Sequence, residues 1–194
     1  MKKLISMLLA LTVVFCLAAC GGNNTPATEA PTVAPTEAPT EAPVVKVEGT
    51  LEELLNKIVE KQPVEFMGGT LPIDLTDTSD DGKWVVKNYT GLDSADSITE
   101  AAFFEPMMGS IPYSMVAVRV ADGADIKTVA EGMKNGIDQR KWICVEADDL
   151  RVSAAGDTVV LIMVGSAHAD AATAASITDA FSAAAGGLDL NKSK

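Results

Sequence analysis

The chain has 194 residues, a net charge of −12 and 47% hydrophobic residues, which is enough for one folded domain and too little for two sizeable ones. An acidic surface of this size argues against binding to nucleic acid and against electrostatic docking on anionic lipid, because both are anions. Aromatic residues make up only 5% of the chain, so the sequence predicts a mainly aliphatic core.

The N-terminus has the features of an export signal. Lys2 and Lys3 precede an apolar run that is too short for a comfortable membrane span. The LAAC that follows, Leu17 to Cys20, resembles the lipobox of bacterial lipoprotein signal peptides, whose cysteine is acylated and becomes the mature N-terminus. The resemblance implies a signal peptide at residues 1–19 and a diacyl anchor on Cys20, and two acyl chains hold a protein stably on a membrane. The alternative is an ordinary secretory signal cleaved after small residues.

A low-complexity segment follows the lipobox. Thr, Ala, Pro and Glu dominate residues 23–43, and the unit TEAP or TVAP occurs four times in succession within them. Proline at every fourth position removes a backbone donor and prevents helix formation. Nothing in this composition can bury a core. The sequence therefore predicts a solvated, disordered stalk at residues 20–48 and a single folded domain at residues 49–190.

The first predicted element of the domain is an amphipathic helix in TLEELLNKIVEK. Thr50 and Glu53 have the spacing of a capping box, the apolar residues recur at helical spacing, and Pro63 closes the segment. The next stretch, TDTSDDGKWVVKNYTGLD, is ambiguous. Its valines and tyrosine favour a strand, whereas its Asp-rich start and Gly91 suit a short capped helix, which we slightly prefer. The conformation of residues 63–98 is otherwise left open.

Two strands are predicted next, in SITEAAFF and PYSMVAVRVA. In the second strand the alternation places Val116, Val118 and Val120 on one face. A helix follows in DIKTVAEGMKNGIDQR, with Asp125 as its N-cap.

The last predicted elements are a hairpin and a helix. LRVSAAGDTVVLIMV turns at Gly156 and Asp157, and its second arm is apolar on both faces, which is typical of a central strand. ADAATAASITDAFSAAAGG predicts an Ala-rich helix with Ile177 and Phe181 inward and Gly186 as its stop. The order strand-strand-helix-strand-strand-helix predicts an α+β fold: an antiparallel sheet of about four strands with helices packed on one face, preceded by the N-terminal helix.

The stretch RKWICVEADD, residues 140–149, contains two cations, a tryptophan, a cysteine and three carboxylates. Its cations are expected to cap the end of the preceding helix, with Trp142 and Ile143 turned inward. Cys16 would leave with the signal and Cys20 would carry lipid, so Cys144 has no disulfide partner. We interpret Cys144 as a buried structural residue. The alternative, a nucleophile, requires a nearby base, and the single imidazole of the chain is His168.

DTSDDG, residues 77–82, is a weak calcium candidate. In an EF-hand-like loop it would supply oxygen ligands from Asp77, Ser79 and Asp81, followed by the required glycine. The acid expected at the twelfth position is Asn88 instead. We therefore favour an Asx-type turn that caps the next segment.

The domain also resembles a known group of proteins. RKWICVEADDLRV followed by GDTVVLIMV, with YSMVAVRVADGADI upstream, is similar to the C-terminal part of an uncharacterised family of surface lipoproteins from clostridia-like Gram-positive bacteria. The similarity extends over residues 90–164. It implies a location on the cell surface and an α+β domain, and it carries no known activity, ligand or site residue beyond the lipobox Cys20.

The sequence contains no catalytic constellation, no zinc-ligand spacing and no phosphate-binding glycine loop. It predicts a protein anchored by lipid on Cys20 to the extracytoplasmic face of the cell membrane, without cofactor and without nucleic-acid partner. The leading hypothesis is a non-catalytic module that binds an envelope protein or ligand. The alternatives are an envelope hydrolase that uses carboxylates and an accessory subunit of an envelope complex.

Overall fold

A computed structural model describes residues 46–168 and 172–193, apart from the side chain of His168; Cys20 and the predicted signal peptide lie outside the described residues, as does the predicted stalk up to residue 45. The helices are α1 (Leu51–Lys61), α2 (Asp80–Thr90), α3 (Ile126–Gly136) and α4 (Ala174–Ala185). The strands are β1 (Gly68–Pro72), β2 (Ile98–Pro106), β3 (Tyr113–Val120), β4 (Asp149–Ala155), β5 (Thr158–Val164) and β6 (Leu190–Ser193). None of these helices has both the length and the apolar composition that a membrane crossing requires.

The fold is α+β, as predicted, and every strand pair in the described sheet is antiparallel. The sheet has six strands in the order β1-β2-β3-β5-β4-β6, whereas about four were predicted. The two that were missed, β1 and β6, are the edge strands. Edge strands are short and pair on one side only, so their sequences carry a weak signal: β1 reads GGTLP and β6 has four residues.

The prediction that the helices pack on one face is wrong, because helices cover both faces of the sheet. The valines at 116, 118 and 120 of β3 pack with α2 and α3 in one core cluster. Met115 and Ala117, which alternate with them, pack with α1 and α4 in a second cluster on the opposite face. All seven residues of β5 are buried. A strand that is apolar on both faces needs cover on both faces, so this arrangement was already implied by TVVLIMV.

Several local predictions are confirmed. The Thr50–Glu53 capping box begins α1, and Gly186 ends α4 in a left-handed conformation. The ambiguous segment forms a helix, α2, with Ser79 as its N-cap and Gly91 as its C-terminal stop. The β4–β5 hairpin turns at residues 156–157, and β5 lies between β3 and β4.

Helix α3 ends earlier than predicted. Asp125 is its N-cap, as expected, but the helix stops at Gly136 and Ile137 is already extended and buried. A Cβ at position 136 would lie 2.1 Å from the carbonyl oxygen of Gly91. Helix α3 and the end of α2 can therefore make this contact only because both segments have a glycine there. Arg140 and Lys141 therefore do not cap a helix and belong to the loop that follows.

Candidate functional site

The two ends of the sheet are different. At one end, which we call the entry end, the chain joins the domain beside Arg119. The guanidinium of Arg119 donates to Glu100 at 2.9 Å and to Asp157 at 3.0 Å, and also to the carbonyl oxygens of Val47 and Gly49. Burial disfavours the charged form of Arg119 and acts to lower its pKa. The hydrogen bonds to the two carboxylates outweigh this effect and raise the pKa above the usual value. We call these residues the Arg119 network.

The Arg119 network also receives backbone donors from the incoming chain. The N–H of Val47 donates to Asp157 at 3.1 Å, and the N–H of Leu51, at the start of α1, donates to Glu100 at 2.7 Å. Burial acts to raise the pKa of Asp157, but the donors from Val47, Arg119 and Thr158 outweigh it and hold the pKa below its usual value. Contacts with the domain thus begin before residue 49, the predicted start of the folded region.

The opposite end of the sheet, the distal end, is built from three loops: residues 62–67, 107–112 and 137–148. The third loop contains the stretch RKWICVEADD. Its base is closed by two hydrogen bonds between Gln139 and Ala147, one from each residue's nitrogen donor to the other's carbonyl oxygen, at 2.7 and 2.9 Å. A loop of this length with its ends joined is a compact Ω-type loop, a form that often carries function.

Inside the Ω-type loop, the side chain of Lys141 is buried. Its side chain is 5% exposed, and its Nζ lies 2.6 Å from Glu105 Oε1 and 3.3 Å from Ser114 Oγ. The same Nζ lies 4.7 Å from the ring centroid of Tyr89 and 5.3 Å from that of Trp142. A cation is thus held among a carboxylate, a hydroxyl and two aromatic faces.

Burial changes the acid–base properties of this cluster. It lowers the pKa of Lys141, and the nearby charges of Glu105 and Asp138 oppose this shift without cancelling it. Burial also raises the pKa of the Tyr89 hydroxyl, with a further contribution from Glu105. Ser114 is fully buried, so a substrate cannot reach its hydroxyl. The geometry favours a structural role, in which the ion pair ties the Ω-type loop to β2 and β3.

Cys144 was predicted to be buried, and this prediction is wrong. Cys144 is exposed with a φ of 66°, and it is the one non-glycine residue with positive φ in the described part of the chain. Ile143, also expected inward, is 85% exposed, while Trp142 is half-buried against the core. Because Lys141 occupies the interior of the loop, the residues after it turn outward. The side chain of His168, the base that the alternative requires, lies outside the described residues.

A hollow of about 320 Å³ lies on the Ω-type loop, lined by Arg140, Trp142, Cys144, Val145 and Glu146. The guanidinium of Arg140 and the carboxylate of Glu146 lie 3.2 Å apart across it. The hollow therefore contains a thiol, but its cation and its anion already satisfy each other.

A larger cleft of about 590 Å³ runs along α3 beside residues 91–97. Its two carboxylates have other partners: Asp93 pairs with Lys87 at 2.7 Å, and Asp125 caps α3 through Lys127 N and Thr128. They are thus not a converging acid–base pair of the kind that hydrolysis requires.

The calcium candidate forms the Asx-type turn that we favoured. The Oδ1 of Asp77 accepts from the N–H of Ser79 at 2.9 Å, and the Oγ of Ser79 accepts from the N–H of Gly82 at the start of α2. The hydrogen bonds from Ser79 lower the pKa of Asp77. Among the described residues, no group of three or more His, Cys, Asp or Glu side chains is placed to hold a metal ion.

The distal end also carries exposed apolar side chains. They are Met67 (77% exposed), Met107 (74%), Met108 (63%) and Ile143 (85%), and we call them the apolar tip. Met67 and Met107 are joined by a backbone hydrogen bond of 2.9 Å. Lys141 connects the loop of Ile143 to Glu105, two residues before Met107. Sequence reasoning missed this surface, although two consecutive methionines between two predicted strands are a signal for it.

The chain matches no family model, no curated protein and no solved structure. The resemblance to the surface lipoprotein family stays a prediction.

Proposed function

We propose that this protein is a lipid-anchored cell-surface module that binds an envelope partner and performs no catalysis itself. In this proposal a diacyl anchor on Cys20 holds it on the extracytoplasmic face of the membrane, and residues 20–45 form the stalk. The domain then extends its distal end away from the point where the stalk joins it.

One observation carries the proposal: the chain enters at the Arg119 network, and the apolar tip lies at the opposite end of the sheet. An eight-residue strand such as β3 spans about 25 Å, which is the approximate separation of the two ends of the sheet. Large exposed apolar groups are costly in water, and their concentration in neighbouring loops is typical of a contact surface.

The alternative of an envelope hydrolase has less support. The carboxylates of the cleft along α3 are engaged in a helix cap and an ion pair, and the Ser114 hydroxyl is out of reach of a substrate. The alternative of an accessory subunit differs from our proposal only in the permanence of the complex. A stable complex of fixed stoichiometry with the partner would favour the accessory subunit.

The test is photo-crosslinking in intact cells. A photoreactive amino acid is placed at Met108, in the apolar tip, or at Trp84, an equally exposed apolar position on α2. We expect a discrete protein adduct from position 108 and none from position 84. No adduct from either position, or the same adducts from both, would contradict a specific partner at the tip.

A further inference from the structure

The methionines of the described residues divide into two classes. Met115, Met133 and Met163 are fully buried in the core, whereas Met67, Met107 and Met108 are exposed at the distal end. Methionine is unbranched and polarizable, so exposed methionines can adapt to the shape of an apolar partner surface. Half of the methionines in the described part of the chain are thus placed where they cannot contribute to the core.

The charges around the apolar tip restrict what can cover it. The three distal loops contain four acids, Glu65, Asp138, Glu146 and Asp148, and two cations, Arg140 and Lys141. Both cations are already in ion pairs, with Glu146 and Glu105 respectively. The described loops that carry the apolar tip therefore contain two more acids than cations, and both of their cations are in ion pairs.

This charge pattern favours a cationic partner over an anionic lipid surface and over a second copy of the chain. An anionic lipid surface would be repelled by the acids of the tip and by the chain's net charge of −12. A second copy of the chain would bring the same acids together. A cationic partner with an apolar stripe matches both the methionines and the acids, and such complementarity determines specificity and association rate.

We propose that the apolar tip is the docking surface for a cationic amphipathic helix of a partner protein. The inference rests on the proposed function as an interaction module and adds the chemical class of the partner. A helix with apolar residues at i, i+3, i+4 and i+7 presents one stripe, which can contact side chains from several loops at once. Its flanking lysines or arginines would lie beside Glu65, Asp138 and Asp148.

The test is an NMR titration with methyl-labelled methionine. The full chain, reconstituted in phosphatidylcholine nanodiscs, is titrated with a synthetic peptide of leucine and lysine in helical spacing, with empty nanodiscs as a blank. We expect the methyl signals of Met67, Met107 and Met108 to shift. The signals of Met115, Met133 and Met163 should stay in place, which also verifies that the domain is folded.

Two variants make the test specific. Met108→Lys should raise the Kd of the peptide at least tenfold, because it puts a cation into the apolar tip. Trp84→Lys makes the same change of charge at an exposed apolar residue outside the tip, and it should change the Kd less than twofold. Equal weakening by both variants would mean unspecific attraction and would overturn the proposal.

Further outcomes distinguish a cationic helix from the other candidate partners. A peptide with glutamate in place of lysine should bind at least tenfold more weakly, and equal binding would refute the role of charge. Shifts of the tip signals caused by phosphatidylglycerol in the nanodiscs, or by a higher protein concentration, without peptide, would assign the tip to lipid or to a second copy. A specific cellular crosslink from position 108 together with no peptide binding would overturn this inference alone and leave the proposed function standing.

Discussion

At the scale of single residues, Cys144 has an unfavourable backbone conformation. Its φ of 66° lies in the left-handed region, which costs an ordinary L-residue about 1–2 kcal/mol and glycine almost nothing. Cys144→Gly should therefore be more stable than Cys144→Ala by about 1 kcal/mol. Cys144→Val should be the least stable of the three because its β-branched side chain fits this region worst.

The measurement for Cys144 is urea unfolding of the three variants and the parent chain. This ranking is the opposite of what a buried cysteine would give, since refilling a core position with valine would be better tolerated than glycine. A result with Cys144→Gly as the least stable variant would contradict the exposed, left-handed position of this residue.

Lys141 and Glu105 form the pair on which the Ω-type loop depends. Lys141→Met should cost about 3–5 kcal/mol, because it leaves a mostly buried carboxylate without its cation. The double variant Lys141→Met with Glu105→Gln should recover much of that loss, since it removes both charges together. A double-mutant cycle from chemical denaturation measures the coupling.

A matched control for Lys141 lies in the same loop. Arg140 and Glu146 form an ion pair at 3.2 Å, but both side chains are exposed. Their cycle should give a coupling below about 1 kcal/mol, as for other pairs in water. Additive effects in the Lys141 cycle, or equal coupling in the two cycles, would argue against a buried ion pair.

At the scale of elements, the junction before α1, residues 46–49, is part of the fold. A chain that begins at Gly49 loses the hydrogen bonds of Val47 to Asp157 and Arg119. Two hydrogen bonds with charged partners contribute about 2–4 kcal/mol together, which for a domain of this size lowers the Tm by about 5–10 °C. A chain that begins at Ala42 keeps both bonds and should melt with the full chain. Equal melting of all three chains would show that the junction contributes nothing.

The Arg119 network also predicts how stability depends on pH. The pKa of Asp157 is lower in the folded chain than its ordinary value of 3.8, so the folded state binds its proton more weakly than the unfolded state. Asp157 therefore stabilises the fold above about pH 4, and this contribution is lost as the pH falls through 3.8 and below. Its stabilising effect is fully present at neutral pH.

The variant Asp157→Asn isolates this effect. It should be less stable than the parent chain by about 2–4 kcal/mol at pH 7, and the difference should shrink as the pH falls below 4. Asp179→Asn, at an exposed position of α4, is the control, and its stability should not differ from that of the parent chain in this way. A difference that stayed constant between pH 7 and pH 3 would rule out ionised Asp157 as its cause.

At the scale of the whole molecule, the lipid anchor is the feature on which the predicted location depends. Labelling of cells with a radioactive fatty acid should mark the parent protein, and Cys20→Ala should be unlabelled and released from the membrane fraction. Cys144→Ala is the matched control and should be labelled like the parent chain. A labelled Cys20→Ala variant, or an unlabelled parent in a host that makes lipoproteins, would contradict the anchor.

The elements that were predicted correctly share a local cause. The capping box of Thr50 and Glu53, the cap at Asp125 and the turn at residues 156–157 each depend on residues a few positions apart, which interact whatever the rest of the chain does. The same holds for the apolar spacing of the helices and for the alternation in β3. Such features could be derived from the sequence because their physical cause lies within one segment.

The failures at the edges of the sheet have a different cause. Strands β1 and β6 exist because β2 and β4 offer unpaired backbone groups to them, and their own residues have little preference for a strand. The cover on both faces was derivable in principle, since β5 is apolar at every position after Thr158. The strands with which β1 and β6 pair could not be derived in this way, because they are far from them in sequence.

By itself, the sequence determined the α+β class, the main helices and central strands and the acidic charge of the chain, because composition and short-range spacing decide these properties. Only the tertiary structure decided that Lys141 enters the interior and Cys144 turns outward, since both depend on Glu105, 36 positions away, offering its carboxylate to the loop. It also decided that the Arg119 network and the apolar tip lie at opposite ends of the sheet. The direction of a surface becomes defined only when strands distant in sequence pair in one register.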